Sequence, residues 1–260
     1  MAAGNSRIER IEARFQGNGF SPHRHDTYAL GITLSGIQTF SYRGEARVST
    51  AGRLIVLHPD ELHDGGAGGK DGLTYRMLYL PPELIAAAGE RAAAPLPFVG
   101  DPVADDPALR HALIDALSDL QSPLSGLQLD DAVTGIASAL ARMAGEIPRR
   151  QEIDRRAMTR LAQRLREECV NQLGSRVLEA ETGLDRFTLA RQFRAAFGTS
   201  PHRYLIQRRL DHARQMMARG VSLAEAATAS GFADQAHMTR HFGRTYGMTP
   251  GHWRALRRTA

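Results

Sequence analysis

Apolar and polar positions change their spacing from one part of this 260-residue chain to the next. From Ile8 to Leu80 the apolar residues come in short alternating or continuous runs separated by glycine-containing turns. Tyr28–Leu34, Gln38–Tyr42, Ala46–Ser49, Arg53–Leu57 and Tyr75–Leu80 read as strands, with breaks at Ser35-Gly36, Arg43-Gly44, Ala51-Gly52 and Gly65–Gly72. Short, evenly spaced strands predict an antiparallel β-barrel or sandwich. Pro81-Pro82 ends that region, and text with little pattern runs to about Pro107. The spacing then becomes helical. Leu109, Leu113, Ala116, Leu117 and Leu120 line one face, and after Ser122-Pro123 so do Leu129, Val133, Ile136, Leu140 and Met143. Two helices across a short proline turn make a helical hairpin. Its apolar stripe either packs on the strands or forms a seam between two copies of the chain.

The remaining third is helical and repeats itself. Arg191-x-Phe193-x-x-x-Phe197-Gly198-x-x-Pro201-x-x-Tyr204 returns as Arg240-x-Phe242-x-x-x-Tyr246-Gly247-x-x-Pro250-x-x-Trp253, each pair 49 residues apart. A constant offset marks a duplicated supersecondary unit. A helix over Asp154–Asn171 comes first. Ser175 is placed to cap a short helix over Arg176–Thr182, Gly183 to turn the chain, and Asp185 to cap the helix that follows. Ser200-Pro201 starts a long rod, His202–Arg219. Ser222 and Glu225 form a capping box for the second unit, Gly231 turns, and Asp234 caps its second helix.

In each copy the second helix has an expected inner stripe: Leu189, Phe193 and Phe197, then Met238, Phe242 and Tyr246. That leaves Phe187, Ala190, Arg191 and Arg194 outside in the first copy. In the second, Gln235, Ala236, Thr239, Arg240 and Gly243 remain outside. Arginine pairs bidentately with guanine and apolar atoms touch thymine methyls, so these faces suit a major groove. The reading is a tandem helix-turn-helix module for double-stranded DNA. Charge agrees with it. Residues 151–260 hold 19 Arg and 10 Asp or Glu, a net +9, whereas residues 1–150 hold 14 Arg or Lys and 18 Asp or Glu, a net −4. A polyanion partner is expected for the basic half alone. Arg254, Arg257 and Arg258 form a basic tail suited to phosphates. Against this, Lys70 is the sole lysine, so the arginines also fit a solvated surface in an Arg-favouring proteome.

Cys169 is the only cysteine, which excludes an internal disulfide and points to a reducing cytoplasm. The N-terminal text lacks the apolar stretch of a signal peptide, and no run is long enough to span a membrane. No glycine-rich phosphate loop, nucleophile elbow or metalloprotease helix is present, so an enzyme is not expected.

The C-terminal motifs carry a family resemblance. Arg209-Leu210-x-x-Ala213-Arg214, Ala226-Ala227, Ser230-Gly231-Phe232, Asp234-Gln235-Ala236-His237-Met238, Arg240-His241-Phe242 and Tyr246-Gly247-Met248-Thr249-Pro250 resemble the DNA-binding domain of AraC/XylS-type transcription regulators. The resemblance covers about Asp154 to Arg258 and implies two helix-turn-helix units joined by a long helix. It puts base-contacting positions on Phe187, Ala190 and Arg191, and on Gln235, Ala236, Thr239 and Arg240; Arg186 and Arg194 beside them complete the expected DNA-binding residues. Two residues depart from the pattern. Glu179 stands where a small residue is expected, and Met238 replaces Leu or Phe.

Residues 20–80 resemble, more weakly, the cupin-like sensor half of the same family. The carriers are His23-Arg24-His25-Asp26-x-Tyr28, Gly36, Gly44, Gly52 and His58-Pro59-Asp60-Glu61-x-His63-Asp64. His23 and His25 alternate, so an extended chain points both to one face, and His63 is placed to join them. Three imidazoles suit a transition metal. A metal-binding cupin adds a carboxylate after three or four intervening residues, where this chain has Ala29 and Leu30, so a fourth ligand would fall to Glu61 or His58. Without one, His23, His25, Tyr28 and His63 are candidate contacts for an organic effector, and no metal or cofactor is expected.

The expected architecture is α+β in two domains. A cupin-like antiparallel β-barrel over 1–107 senses an effector, a helical hairpin over 108–145 dimerises the chain, 146–153 link, and 154–260 form the all-α tandem helix-turn-helix domain. The expected function is a cytoplasmic, sequence-specific DNA-binding transcription activator. Its partners are a small-molecule effector, RNA polymerase and a second copy of itself. The alternatives are a metal-dependent cupin enzyme with a vestigial helical half, and a regulator that needs no ligand.

Overall fold

The alternating runs between Ile8 and Leu80 form strands, and the longest one organises the N-terminal half. The computed structural model describes residues 8–90, 94–147 and 152–258, and the chain divides into units Met1–Arg150 and Gln151–Ala260. Among the described residues, unit 1 holds β1 (Glu9–Phe15), β2 (Asn18–His23), β3 (Tyr28–Tyr42), β4 (Glu45–Thr50), β5 (Leu54–Leu57), β6 (His63–Ala67), β7 (Leu73–Leu80), α1 (Pro82–Ala88), β8 (Val103–Ala104), α2 (Pro107–Leu117) and α3 (Gly126–Met143). All pairings are antiparallel.

β3 was expected to break at Ser35-Gly36, yet it runs through. Its first half pairs with β5 and β7, its second half with β4 and β6. The expected break is instead a register shift between Thr33 and Ser35. Gly36 sits at φ +77°, and a Cβ there would collide with the Gly72 carbonyl, so glycine bends the strand without ending it. The strand order is β1-β7-β3-β5-β8, with β4 and β6 on the far half of β3 and β2 on β6. The barrel expectation is corrected by this: two sheets share β3, and the path does not close among the described residues. Ala29, Phe40, Tyr42, Ile55, Leu57, Leu73, Tyr75 and Met77 fill the space between them.

The helical hairpin packs on this sheet. Leu109, Leu113, Ala116, Leu117, Ile136 and Leu140 are at most 1% exposed, so the stripe that suggested a seam is spent within unit 1. Asp106 caps α2 by accepting from Leu109 N at 2.7 Å, and Arg142 of α3 grips that carboxylate at 3.0 and 3.1 Å. At the other end, Arg10 donates to the carbonyls of Ala116, Asp119 and Ser122 (2.9, 2.8 and 2.7 Å) and Arg76 to that of Leu117 (2.8 Å). The last carbonyls of α2 and those of the turn beyond it thus accept from two strand arginines, which fasten the hairpin to the sheet.

Unit 2 consists of α4 (Arg155–Glu167), α5 (Ser175–Thr182), α6 (Arg186–Phe197), α7 (Pro201–Ala218), α8 (Leu223–Ala229), α9 (Gln235–Tyr246) and α10 (Pro250–Arg258). α4 stops at Glu167, short of the expected Asn171, although Cys169 beyond it is still buried. Gly174 occupies the N-cap of α5, so Ser175 begins that helix and does not cap it. Phe193 and Phe242 have no exposed area, each contributing ~2–3 kcal/mol of burial. Residues 148–151, the core of the expected linker, lie outside the described residues. Among the described residues no helix is long and apolar enough to cross a membrane.

Candidate functional site

The sequence repeat in unit 2 is a repeat of geometry. Gly198 and Gly247 end α6 and α9 at φ +70° and +71°. Ser200 Oγ then accepts from Arg203 N at 3.3 Å, and Thr249 Oγ1 from His252 N at 3.2 Å. Phe193 meets Tyr204 edge-on at 5.5 Å, as Phe242 meets Trp253 at 6.1 Å. Asp185 caps α6 through Phe187 N and Thr188 N, both at 3.0 Å, while Asp234 caps α9 through His237 N at 2.6 Å. Each copy is therefore a helix, a turn and a capped second helix.

The second helices differ in what they present. On α9, Met238 and Phe242 are buried, Gln235 and Ala236 are exposed, and Thr239, Arg240 and Gly243 are half-buried, as the face analysis expected. On α6 the expectation fails for two residues. Phe187 is 4% exposed and Ala190 1%, although both were placed outside. The cause is packing: α6 touches α4, α5 and α7, which cover more of its circumference than one stripe. The Arg186 guanidinium also lies 4.7 Å from the Phe187 ring. Phe197, expected inside, is 41% exposed at the helix end, its ring still 4.7 Å from Phe193. The polar face of α6 thus consists of half-buried Arg186, Thr188, Arg191 and Arg194, with Arg191 Nη2 donating to Thr188 Oγ1 at 2.8 Å.

Glu179, flagged as a departure, has a role. Its Oε1 accepts from Arg186 N at 2.9 Å and adds a second acceptor at the start of α6. Met238 has no exposed area and fills the core where Leu or Phe was expected. Arg209, a motif residue to which the sequence assigned no role, has a structural one. Only 8% exposed, it donates from Nε to Cys169 O at 2.7 Å and from Nη2 to Asn171 O at 2.9 Å. Its guanidinium also borders the Gly231 turn of the second copy. It ties the chain after α4, the rod α7 and that turn together. Of the basic tail, Arg254 is half-buried, and the side chains of Arg257 and Arg258 lie outside the described residues.

In unit 1 the structure brings His23, His25 and His63 together. Their ring centroids are 4.5 Å (His23–His63), 4.8 Å (His25–His63) and 6.2 Å (His23–His25) apart. β2 pairs with β6 so that His23 faces His63, and His25 follows in the turn before β3. Burial pushes the His25 and His63 imidazoles below their ordinary value, and the neighbouring imidazoles push the same way.

Tyr28 does not join them. It is 1% exposed and donates its hydroxyl to Pro97 O at 3.0 Å, because the first residue of β3 turns into the core. Tyr79 of β7 takes the expected place, its ring 5.5 Å from His25. Its alternation with Tyr75 and Met77 was the available signal. His58 is not a fourth ligand either: Nε2 accepts from Val99 N at 3.0 Å and Nδ1 bonds the Tyr42 hydroxyl at 2.9 Å. Burial lowers its pKa to about 4 and keeps it neutral. Glu61 faces Arg43 at 3.5 Å. Among the described residues no group of three or more His, Cys, Asp or Glu is placed to hold a metal ion.

Residues 5–142 match the family described as AraC-like ligand binding domain, and residues 178–256 match one described as a helix-turn-helix domain. The chain belongs to the AraC family of transcription regulators. An uncharacterized HTH-type transcriptional regulator of Bacillus subtilis (strain 168), YbfI, is 25% identical over 239 residues, 88% of this chain and 86% of that protein. Among solved structures, ToxT from Vibrio cholerae is 13% identical with a TM-score of 0.41, covering 97% of this chain and 99% of that one. The DNA-binding domain of AdpA, solved with a target DNA, is 27% identical with a TM-score of 0.38, covering 40% of this chain and 94% of that one. As an AraC-family protein the chain is a helix-turn-helix transcription regulator with an N-terminal ligand-binding domain.

Proposed function

We propose that α6 and α9 enter consecutive major grooves on one face of DNA, about one helical turn or ~34 Å apart. Gln235, Ala236, Thr239 and Arg240 read bases from α9, and Arg191 and Arg194 from α6. Arg186 reaches a phosphate, and Phe187 and Ala190 set the position of α6 from inside. The observation that carries this reading is the α9 face, where Gln235 and Ala236 are exposed and Thr239 and Arg240 half-buried beside a core held by Met238 and Phe242. The arginine excess of residues 151–260 supplies phosphate affinity that is salt-dependent and independent of sequence.

In the same reading the chain acts in the cytoplasm as an activator that engages RNA polymerase, and it performs no catalysis. A small molecule bound beside His23, His25 and His63 shifts DNA affinity through its differential affinity for two states of the protein. Residues 154–260 make the DNA contact, 108–145 the subunit contact and 146–153 the link. Since the inner stripe of the hairpin is buried, a homodimer is built through the outer side of α2, where Ile114 is 44% exposed. Arg240→Ala tests the reading in a DNA-binding titration. It should weaken a selected site by ~1–3 kcal/mol while leaving random DNA nearly unchanged. Equal losses on both would remove Arg240 from base reading.

A further inference from the structure

The three imidazoles share a hydrogen-bond pattern that restricts what they can bind. Nδ1 of His23 lies 2.8 Å from Ser21 O, that of His25 2.8 Å from Thr27 O, and that of His63 2.8 Å from Glu61 O. A carbonyl oxygen only accepts, so each Nδ1 carries the proton and each Nε2 is left with a bare lone pair. None of the three Nε2 atoms has a hydrogen-bond partner among the described residues, and that of His25 is buried from solvent. A buried acceptor without a donor is costly unless a ligand supplies one.

We propose that His23, His25 and His63 form a receptor for a protonated primary amine with an apolar tail. The proposal rests on reading unit 1 as the effector-binding half, and it names the chemistry of that effector. An ammonium group carries three N–H donors, one for each bare nitrogen. An anion would meet three lone pairs, and the depressed basicity of His25 and His63 keeps these rings neutral. The local field favours a cation. Arg24 and Arg43 are paired with Asp60 and Glu61 at 3.6 and 3.5 Å, while the charges of Asp26 and Asp64 act on His25 and His63. For the tail, the Phe20 ring stands 6.0 Å from His23 and is 48% exposed, and the Tyr79 ring edges His25 at 5.5 Å. A metal ion is the poorer occupant. Ala29 and Leu30, where a cupin carboxylate ligand is expected, are buried apolar residues, and among the described residues no group is placed to coordinate an ion.

The test is calorimetric titration of the full chain, stripped with a chelator, against four probes. These are 2-phenylethylamine, 2-phenylethanol, the N,N,N-trimethyl derivative of the amine, and zinc ion. The primary amine should bind saturably at one site per chain. The alcohol and the quaternary derivative, which lack the three N–H donors, should bind at least tenfold more weakly. His23→Ala changes an exposed ring and should weaken the amine at least tenfold with the melting temperature unchanged. His25→Phe should do the same, and there a lowered melting temperature does not matter if His23→Ala has already lost binding. Equal binding of the amine and its quaternary derivative, no binding of the amine, or stoichiometric zinc binding that His23→Ala abolishes would each overturn the proposal. DNA affinity measured on the same samples separates this inference from the reading beneath it. Amine binding with unchanged DNA affinity supports the receptor and removes the effector control. A different small molecule that alters DNA affinity through His23, with no amine binding, does the reverse.

Discussion

Arg209→Met isolates the side chain that ties the two copies together. Methionine keeps most of the buried stem, so the change removes two charge-assisted hydrogen bonds and little volume. The Cys169 carbonyl loses a 2.7 Å donor in a buried setting, and the Asn171 carbonyl loses a 2.9 Å donor at an exposed residue. Leaving a buried acceptor unmet costs ~2 kcal/mol, and an acceptor that water can reach costs ~1 kcal/mol. Relief of the buried guanidinium's own desolvation offsets part of this, so ~2–3 kcal/mol is expected. Trp253 is the only tryptophan in the chain and lies in α10, so its fluorescence follows unit 2 alone. Urea unfolding of the full chain read at Trp253 should show that loss. Thermal unfolding should shift down by roughly 10 °C, at about 4 °C per kcal/mol for a domain near this size. DNA affinity should fall as well, at a temperature where the variant is still folded, because the brace that relates α7 to the Gly231 turn is gone. A midpoint within ~0.5 kcal/mol of wild type would refute the bracing argument.

Gly231 and Gly183 offer a comparison. Both have positive φ, +81° and +69°, but a Cβ at Gly231 would approach Val170 O to 2.7 Å and Arg209 Nε to 2.9 Å, while Gly183 faces open space. Gly183→Ala should cost about 1 kcal/mol and Gly231→Ala clearly more, as read in the same unfolding assay; equal costs would contradict the close-approach argument. Phe187→Ala should lower stability by about 3 kcal/mol, since the ring is 4% exposed, and lost DNA binding without lost stability would return Phe187 to the DNA face. His58 makes unit 1 acid-sensitive. Its folded pKa of about 4 lies below the unfolded value near ~6.5, so its stabilising share is complete above the unfolded value. That share is lost as pH falls toward 4, about 3 kcal/mol in all, and His58→Gln should flatten this slope in urea titrations followed by tyrosine near-UV dichroism.

The repeat in the last third was legible because its signals are local. Glycine at a left-handed C-cap, Ser-Pro or Thr-Pro at a helix start and Asp at an N-cap act within a few residues, and each recurs where the text places it. The α9 face was legible for the same reason. The α6 face was not, because burial of Phe187 and Ala190 depends on how α4, α5 and α7 surround it, and a helical wheel records one helix only. In unit 1 the His23–His25 alternation was readable, and so was the arrival of His63. The fate of Tyr28 was not, since the partner of its hydroxyl is Pro97, 69 residues away. Arg209 was hidden in the same way: its partners lie 38 and 40 residues back in the chain. The β1, β2, β6 and β8 strands went unread, because Glu9–Phe15 alternates weakly, His63–Ala67 looks like a turn and Val103–Ala104 is two residues long.

On the proposed reading, one chain reads two successive major grooves. Hydroxyl-radical footprinting on a site selected from random DNA tests it directly, using the full chain at moderate salt. Two protected patches on one face, about ten base pairs apart, are expected. With Arg240→Ala the patch assigned to α9 should fade first, while the α6 patch persists. A single protected patch, or two that weaken together and equally on unselected DNA, would rule out two-groove reading by one chain.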